Sequence, residues 1–167
     1  MSEKGTVYFF TGLSGAGKTT VGGLFHDRLK AKKPTVILMD GDQTRPVFCE
    51  QSGYTASDRE YGSFRFFRVA KWLADQGMDV VCCAMCMHSN VRAWNRENIE
   101  NYKEIYVKVT SETLIKRNKK GLYTSGTNVV GVDIPFDEPT TPDLILHNDG
   151  DETPEQAVER VEKFFGV

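Results

Sequence analysis

The chain has 167 residues, 40% hydrophobic and 26% charged, with a formal net charge of −2, which fits one globular domain that buries its core without disulfide staples. The charge balance argues against a nucleic-acid polymer as partner, and no apolar run approaches the roughly eighteen residues of a membrane-spanning helix. The apolar part of the N-terminus is too short for a secretory leader. These features lead to the expectation of a cytoplasmic protein with a small-molecule partner, no membrane, and reduced thiols at Cys49, Cys82, Cys83 and Cys86.

Residues 6–11, TVYFFT, are a β-branched and aromatic run that stops at a glycine-rich turn, and from Lys18 onward Val21, Leu24, Phe25 and Leu29 recur at helical spacing. The stretches 35–40 (TVILMD) and 79–85 (DVVCCAM) are continuously apolar, as strands covered on both faces are, and 104–109 and 143–147 extend the series. Helical patterns fall at about 58–76, 89–101 and 111–119 between them. The alternation predicts a three-layer α/β domain over residues 1–167, without a linker or an internal repeat. The last helix has the clearest start, with Thr153 as N-cap, Pro154 at the first helical position and Gln156 completing a capping box, followed by an apolar stripe of Ala157, Val158, Val161, Phe164 and Phe165. Residues 120–142 are rich in turn formers, and a loop of this length predicts a lid that moves.

Residues 12–19, GLSGAGKT, fit G-x-x-x-x-G-K-[ST], between a strand and a helix as that motif requires. Backbone amides from Gly12 through Thr20, with Leu13, Ser14, Gly15, Ala16 and Gly17 forming the loop, would converge on phosphate oxygens. Lys18 would neutralise the transferring phosphate, and Thr19 would ligate Mg²⁺. A GTPase switch is disfavoured: Asn118-Lys119-Lys120-Gly121 has glycine where N-K-x-D needs its carboxylate, and no D-x-x-G follows the loop. A small-molecule kinase also needs a group to orient the attacking hydroxyl and cations for an anionic acceptor. Asp40, Asp42 and Arg45 follow the second strand, where α/β folds bind ligands. Arg59, Arg65 and Arg68 lie near the start of the next helix, where cations oppose the macrodipole unless an anion joins them.

These motifs resemble the adenylyl-sulfate kinase family, through VYFFTGLSGAGKTT, MDGDQTR, GYTASDRE, KRNKKGLY and GVDIPFDEPTTPDLIL, over nearly the whole chain. The resemblance implies a P-loop kinase fold with a central, mostly parallel sheet flanked by helices, and ATP with Mg²⁺ as cofactors. It further implies phosphorylation of the ribose 3′-hydroxyl of adenosine 5′-phosphosulfate. Asp42 would orient that hydroxyl, and Asp40, Arg45, Arg59, Arg65, Cys86 and Lys120 would line the acceptor side. Arg117, Val132 and Pro135 would lie near the adenine of ATP. The chain departs from the family pattern at Gly62, which replaces an Asn, at Phe64, which replaces an Arg, at Cys86, which stands in a Ser position, and in a shortened lid. All fall on acceptor contacts. They leave open a 3′-kinase for another nucleotide, such as cytidine diphosphoramidate in surface-polysaccharide modification, as well as a catalytically silent nucleotide sensor. A homodimer is equally left open.

The remaining notable residues have plainer readings. The pair Cys83 and Cys86 forms C-x-x-C, but no second pair supplies further zinc ligands, so buried strand-end packing is expected. His26, His88 and His147 read as surface or strand-end residues, and Trp72 with the Phe64, Phe66 and Phe67 cluster as helix packing. Phe136 is a candidate for base stacking, while Arg92 and Arg96 are either solvated or in reach of a phosphate.

Overall fold

In the computed structural model, which describes residues 3–48, 53–86, 88–117, 121–125, 127 and 129–167, five parallel strands form a sheet of order β2-β3-β1-β4-β5. The strands are β1 (Val7–Thr11), β2 (Val36–Asp40), β3 (Asp79–Cys83), β4 (Tyr102–Lys108) and β5 (Leu144–His147). The helices are α1 (Lys18–Lys32), α2 (Gly41–Phe48), α3 (Ala56–Asp75), α4 (Ser89–Asn98), α5 (Ser111–Arg117), α6 (Leu122–Ser125) and α7 (Pro154–Phe165).

Side-chain alternation along the strands divides the core in two. Tyr8 and Phe10 of β1 and Val81 of β3 face α1 and α7, where they meet Phe25, Leu29, Val158 and Val161. Val7 and Phe9, with Val80 and Cys82, face the opposite layer against Phe66, Phe67, Ala70 and Val91. Phe9 meets Phe67 edge to face at 4.7 Å. Coverage on both faces explains why β1 and β3 are buried at every position and apolar at all but Thr11 and Asp79, as the sequence predicted. Fully burying one such phenylalanine contributes roughly 2–3 kcal/mol, so Phe9→Ala would remove a large share of a typical domain's net stability.

Helix α7 starts as expected: Thr153 accepts from the Gln156 amide, Gln156 bonds back to the Thr153 amide, and Gly166 ends the helix at φ 71°. Within its stripe, Phe164 is exposed and stands edge-on to Phe165, which itself contacts Tyr8. Two helices differ from the sequence reading. Asp40-Gly41-Asp42 reads as a turn, yet α2 begins there because the Asp40 carboxylate accepts from the amides of Asp42 (2.9 Å) and Gln43 (3.3 Å). Pro46 sits inside that short helix. The expected lid contains α6, and its second half is fastened to the body: Phe136 lies against Tyr106, Glu138 accepts from Tyr106 and Lys108, and Asp137 accepts from the Ser89 amide.

The order β2-β3-β1-β4-β5 reverses direction beside β1, because the chain leaves β1 for strands on one side and later fills the other. Ligands in open α/β sheets bind outside the carboxyl ends of the strands at such a point. The glycine-rich loop begins there, directly after Thr11.

Candidate active site

The loop after β1 is built around contacts that exclude side chains. A Cβ on Gly12 would collide with the Val107 carbonyl, and one on Gly17, whose φ is 100°, would collide with the Asn148 side chain. The loop carbonyls are engaged from outside: Tyr123 Oη donates to Ser14 O at 2.5 Å, Arg117 to Gly15 O at 3.2 Å and Asn148 Nδ2 to Ala16 O at 2.7 Å. Each carbonyl in a trans peptide points opposite to the following amide. Gly15 and Gly17 both line the cavity, which brings this loop backbone within reach of an anion there. Lys18, the first residue of α1, reaches back over the loop to Leu13 O at 2.9 Å. Cradle, helix N-terminus and ammonium together form an anion site.

Asp40 links this loop to α2. Its Oδ1 caps α2, while Oδ2 accepts from Thr19 Oγ1 at 2.6 Å, and the residue is 5% exposed. The sequence reading set Asp40 among the acceptor contacts; the residue lines the cavity, and its carboxylate bonds Thr19 and the helix amides. Thr19 and Asp40 present only hard oxygen atoms, the donor type that Mg²⁺ prefers, so these residues fit that ion.

Beyond Asp42, which lies in the first turn of α2, the wall is made of arginines and aromatic rings. Arg45 stacks over Tyr54 at 4.1 Å and donates to Gly53 O, and Arg59 donates to Tyr54 O at 3.1 Å while flanking the same ring. Arg65 donates to Phe48 O and lies near the rings of Phe48 and Tyr61. Desolvation, and secondarily the nearby charge of Arg45, lowers the Arg59 pKa from its ordinary value. Two like charges are thus gathered on one aromatic platform, an arrangement suited to an anionic ligand. Cys86, at the far end, holds φ at 42°, and is the one non-glycine residue with a left-handed backbone among the described residues.

One cavity of about 510 Å³ joins these parts. Of the residues expected in the site, it is lined by Ser14, Gly15, Gly17, Lys18, Thr19, Thr20, Asp40, Asp42, Arg45, Arg59, Arg65, Cys86 and Arg117. Gly12, Leu13 and Ala16 build the loop from behind. Val132 and Pro135 are not among the residues that line the cavity; Val129 O accepts amides from residues 132–134, and both side chains are exposed. Lys120 lies outside the described residues. The sequence reading missed Asn148 and Gly150 on the loop side and Phe48, Asp58 and Ser63 on the arginine side. The position of Asn148 just past β5, at another strand's carboxyl end, was the available signal.

Several residues considered for ligand contact have structural partners. Arg92 is buried, donating to Cys86 O at 2.9 Å and Asp137 O at 2.6 Å, and Arg96 joins Asp143 and Glu104. Phe136 faces Tyr106 instead of the cavity. His26 is buried beside Asp27, and Trp72, expected in helix packing, is exposed. Cys82, Cys83 and Cys86 are buried free thiols, as strand-end packing requires. Burial pushes the Cys83 and Cys86 thiols up to about 12, far from the range of a nucleophile or a redox pair.

The sequence profile described as Adenylylsulphate kinase matches residues 4–147. The chain belongs to the adenylylsulphate kinase family. It is 37% identical to the cytidine diphosphoramidate kinase of Campylobacter jejuni, covering 98% of each chain, and 34% identical to the adenylyl-sulfate kinase of Halothermothrix orenii, covering 96% of this chain and 90% of the relative. The structure of the Mycobacterium tuberculosis APS kinase CysC in complex with AMPPNP and APS superposes with a TM-score of 0.90 at 27% identity, over 99% and 100% of the two chains. The protein is accordingly a phosphotransferase with an alcohol acceptor, and its parallel sheet with flanking helices is the P-loop kinase fold of this family.

Proposed function

We propose that this kinase transfers the γ-phosphate of ATP to the ribose 3′-hydroxyl of a nucleotide carrying a modified, anionic 5′ group. The observation that supports the reading is a cavity lined by Asp42, Lys18 and Thr19 and also by Arg45, Arg59 and Arg65. In this reading the amide cradle and Lys18 hold the donor's terminal phosphates, and Arg117 with Asn148 supports the loop's outer side. Asp42 accepts the proton of the 3′-hydroxyl while that oxygen attacks phosphorus in line and ADP leaves with the old bond's electron pair. Thr19 and Asp40 would hold Mg²⁺, whose contribution when bound is to neutralise charge on the phosphate oxygens. Arg45, Arg59 and Arg65 fix the 5′ group. The segment 120–142 serves as a cover, with its 129–142 half anchored. The demand for ATP places the enzyme in the cytoplasm, and residues 1–167 act as one catalytic unit.

Cytidine diphosphoramidate is the first acceptor to try. The relative named for it shares 37% identity end to end, and two of the departures from the family pattern, Gly62 and Cys86, line the cavity, whereas Phe64 packs against Trp94. Adenosine 5′-phosphosulfate is the second, favoured by the presence of Asp42, Arg45, Arg59 and Arg65 together. Incubating the protein with ATP, Mg²⁺ and each nucleotide, and identifying the phosphorylated position by NMR, tests the proposal. Asp42→Asn is expected to lower kcat by roughly 10²–10⁴-fold with ATP affinity within about twofold of native. Absence of 3′-phosphorylation of both nucleotides, with ATP binding intact, would favour the silent sensor.

A further inference from the structure

Ala84, Met85 and Cys86 carry the chain out of β3 along the cavity wall, in neither strand nor helix. Each is pinned separately. The Ala84 amide donates to Phe10 O at 3.2 Å, Met85 O accepts from Thr11 Oγ1 at 2.5 Å, and Cys86 O accepts from Arg92 at 2.9 Å. The first two bonds come from β1, the third from α4. Cys86 has the greatest need of such a bond, because its φ of 42° is a conformation that residues with a Cβ avoid. Arg92 is 6% exposed, and a guanidinium buried this far is retained where its charge and donors are matched. One of its terminal nitrogens donates to Cys86 O, the other to Asp137 O at 2.6 Å, and the buried Glu104 carboxylate lies 3.9 Å from Nε. Asp137 is held a second time, at its carboxylate, by the Ser89 amide that opens the same helix. A planar fork fixes two carbonyls in one geometry, whereas an ammonium on a flexible stem supplies charge without that geometry.

We propose that Arg92, which does not itself line the cavity, is a positioning residue for the acceptor: its guanidinium locks the wall at Cys86 to the anchored half of the cover at Asp137. The inference rests on the proposed acceptor site and names a residue outside it on which that site depends. The phosphate loop takes no part in the lock, since its carbonyls are bonded by Tyr123, Arg117 and Asn148. Loosening Arg92 therefore weakens the hold on the acceptor and leaves the hold on ATP as it was.

The test is calorimetric binding of adenosine 5′-phosphosulfate and cytidine diphosphoramidate to protein saturated with AMPPNP, with AMPPNP binding measured separately. The proteins are native, Arg92→Lys, the double variant Arg92→Met with Glu104→Gln, and Arg96→Lys. The double variant removes both members of the buried pair, so that no charge is stranded should Arg92→Lys fail to fold. For the better-bound probe, affinity is expected to fall about tenfold in Arg92→Lys and about thirtyfold or more in the double variant, with AMPPNP affinity within about twofold of native. Amide hydrogen exchange near Cys86 and Asp137 is expected to quicken in both, which reads the lock with no ligand present. Arg96→Lys is the control, because Arg96 shares Glu104 but otherwise bonds Thr141 O and Asp143; its probe affinity is expected to match native. Native probe affinity in the double variant, whatever its exchange, would overturn the lock alone. So would an equal loss for AMPPNP, an equal loss in Arg96→Lys, or unfolding of both Arg92 variants, since each marks a general role in the core. Tight binding of a probe that is never phosphorylated would overturn the proposed function and leave the lock standing on the binding series. Failure of native protein to bind either probe would overturn both.

Discussion

The two halves of the cavity are constructed from different material. On the proposed donor half, recognition would fall to main-chain amides, and the side chains of Arg117, Asn148 and Tyr123 bond the carbonyls of that backbone. On the proposed acceptor half, the backbone is ordinary helix, and recognition would fall to side chains of α2 and α3 stacked on Tyr54 and Phe48. A backbone cradle tolerates little change, because a substitution at Gly12 or Gly17 collides with the fold itself. A side-chain wall can be altered one residue at a time while the helix persists.

Breaking the donor half should have the largest effect. Lys18→Ala removes the ammonium over the loop and is expected to lower kcat/KM by about 10³-fold or more while also weakening ATP binding, as single-turnover and equilibrium-binding measurements would register. Arg59→Ala should separate the halves: the acceptor KM rises by roughly 10–100-fold while ATP affinity stays within about twofold, and an equal loss for ATP would erase the distinction drawn here.

Thiol chemistry sharpens the comparison without disturbing either half. Cys83 lines the cavity beside Asp40, Cys86 lies on the arginine side, and both are held at about 12 chiefly by burial. In a Cys49→Ser background, Ellman's reagent at pH 8 should find almost no reactive thiol in native protein and all three after denaturation. A fast-reacting thiol in either half would show that the half is open to solvent in a way the structure does not allow.

The smallest effect concerns the support behind the acceptor wall. Desolvation raises the Glu104 pKa above 4.5, opposed in part by Arg96 and Arg92. The folded state therefore binds the proton more tightly than the unfolded state does. The contribution of this carboxyl to stability declines as pH rises from about 4.5 through the raised folded value. The difference in melting temperature between native protein and Glu104→Gln should shift against the native protein over that interval, as parallel thermal scans would record.

What could be read directly from the sequence follows the same division. β1, β3 and the phosphate loop are legible because continuous apolar runs and a glycine pattern report burial on two faces and a constrained backbone, both local properties. Helix α2 was hidden because its first residues, Gly41 and Asp42, and its internal Pro46 all favour turns; the capping bonds from Asp40 outweigh those preferences. Asn148 was missed because its contribution is a bond to Ala16 O, a partner 132 positions away that no periodicity announces. Val132 and Pro135 were expected near the donor from resemblance alone, and neither lines the cavity. Arg92 and Arg96 read as either solvated or in reach of a phosphate, and only the fold reveals Glu104, Asp137 and Asp143 beside them.

The Asp40 side chain, finally, acts as a strut. One oxygen grips the start of the helix that carries Asp42 and Arg45, and the other grips the threonine next to Lys18. In the proposed reaction the spacing between Lys18 and Asp42 would thus depend on one carboxylate that bonds both segments, and lengthening it by one methylene, as in Asp40→Glu, would disturb both ends at once.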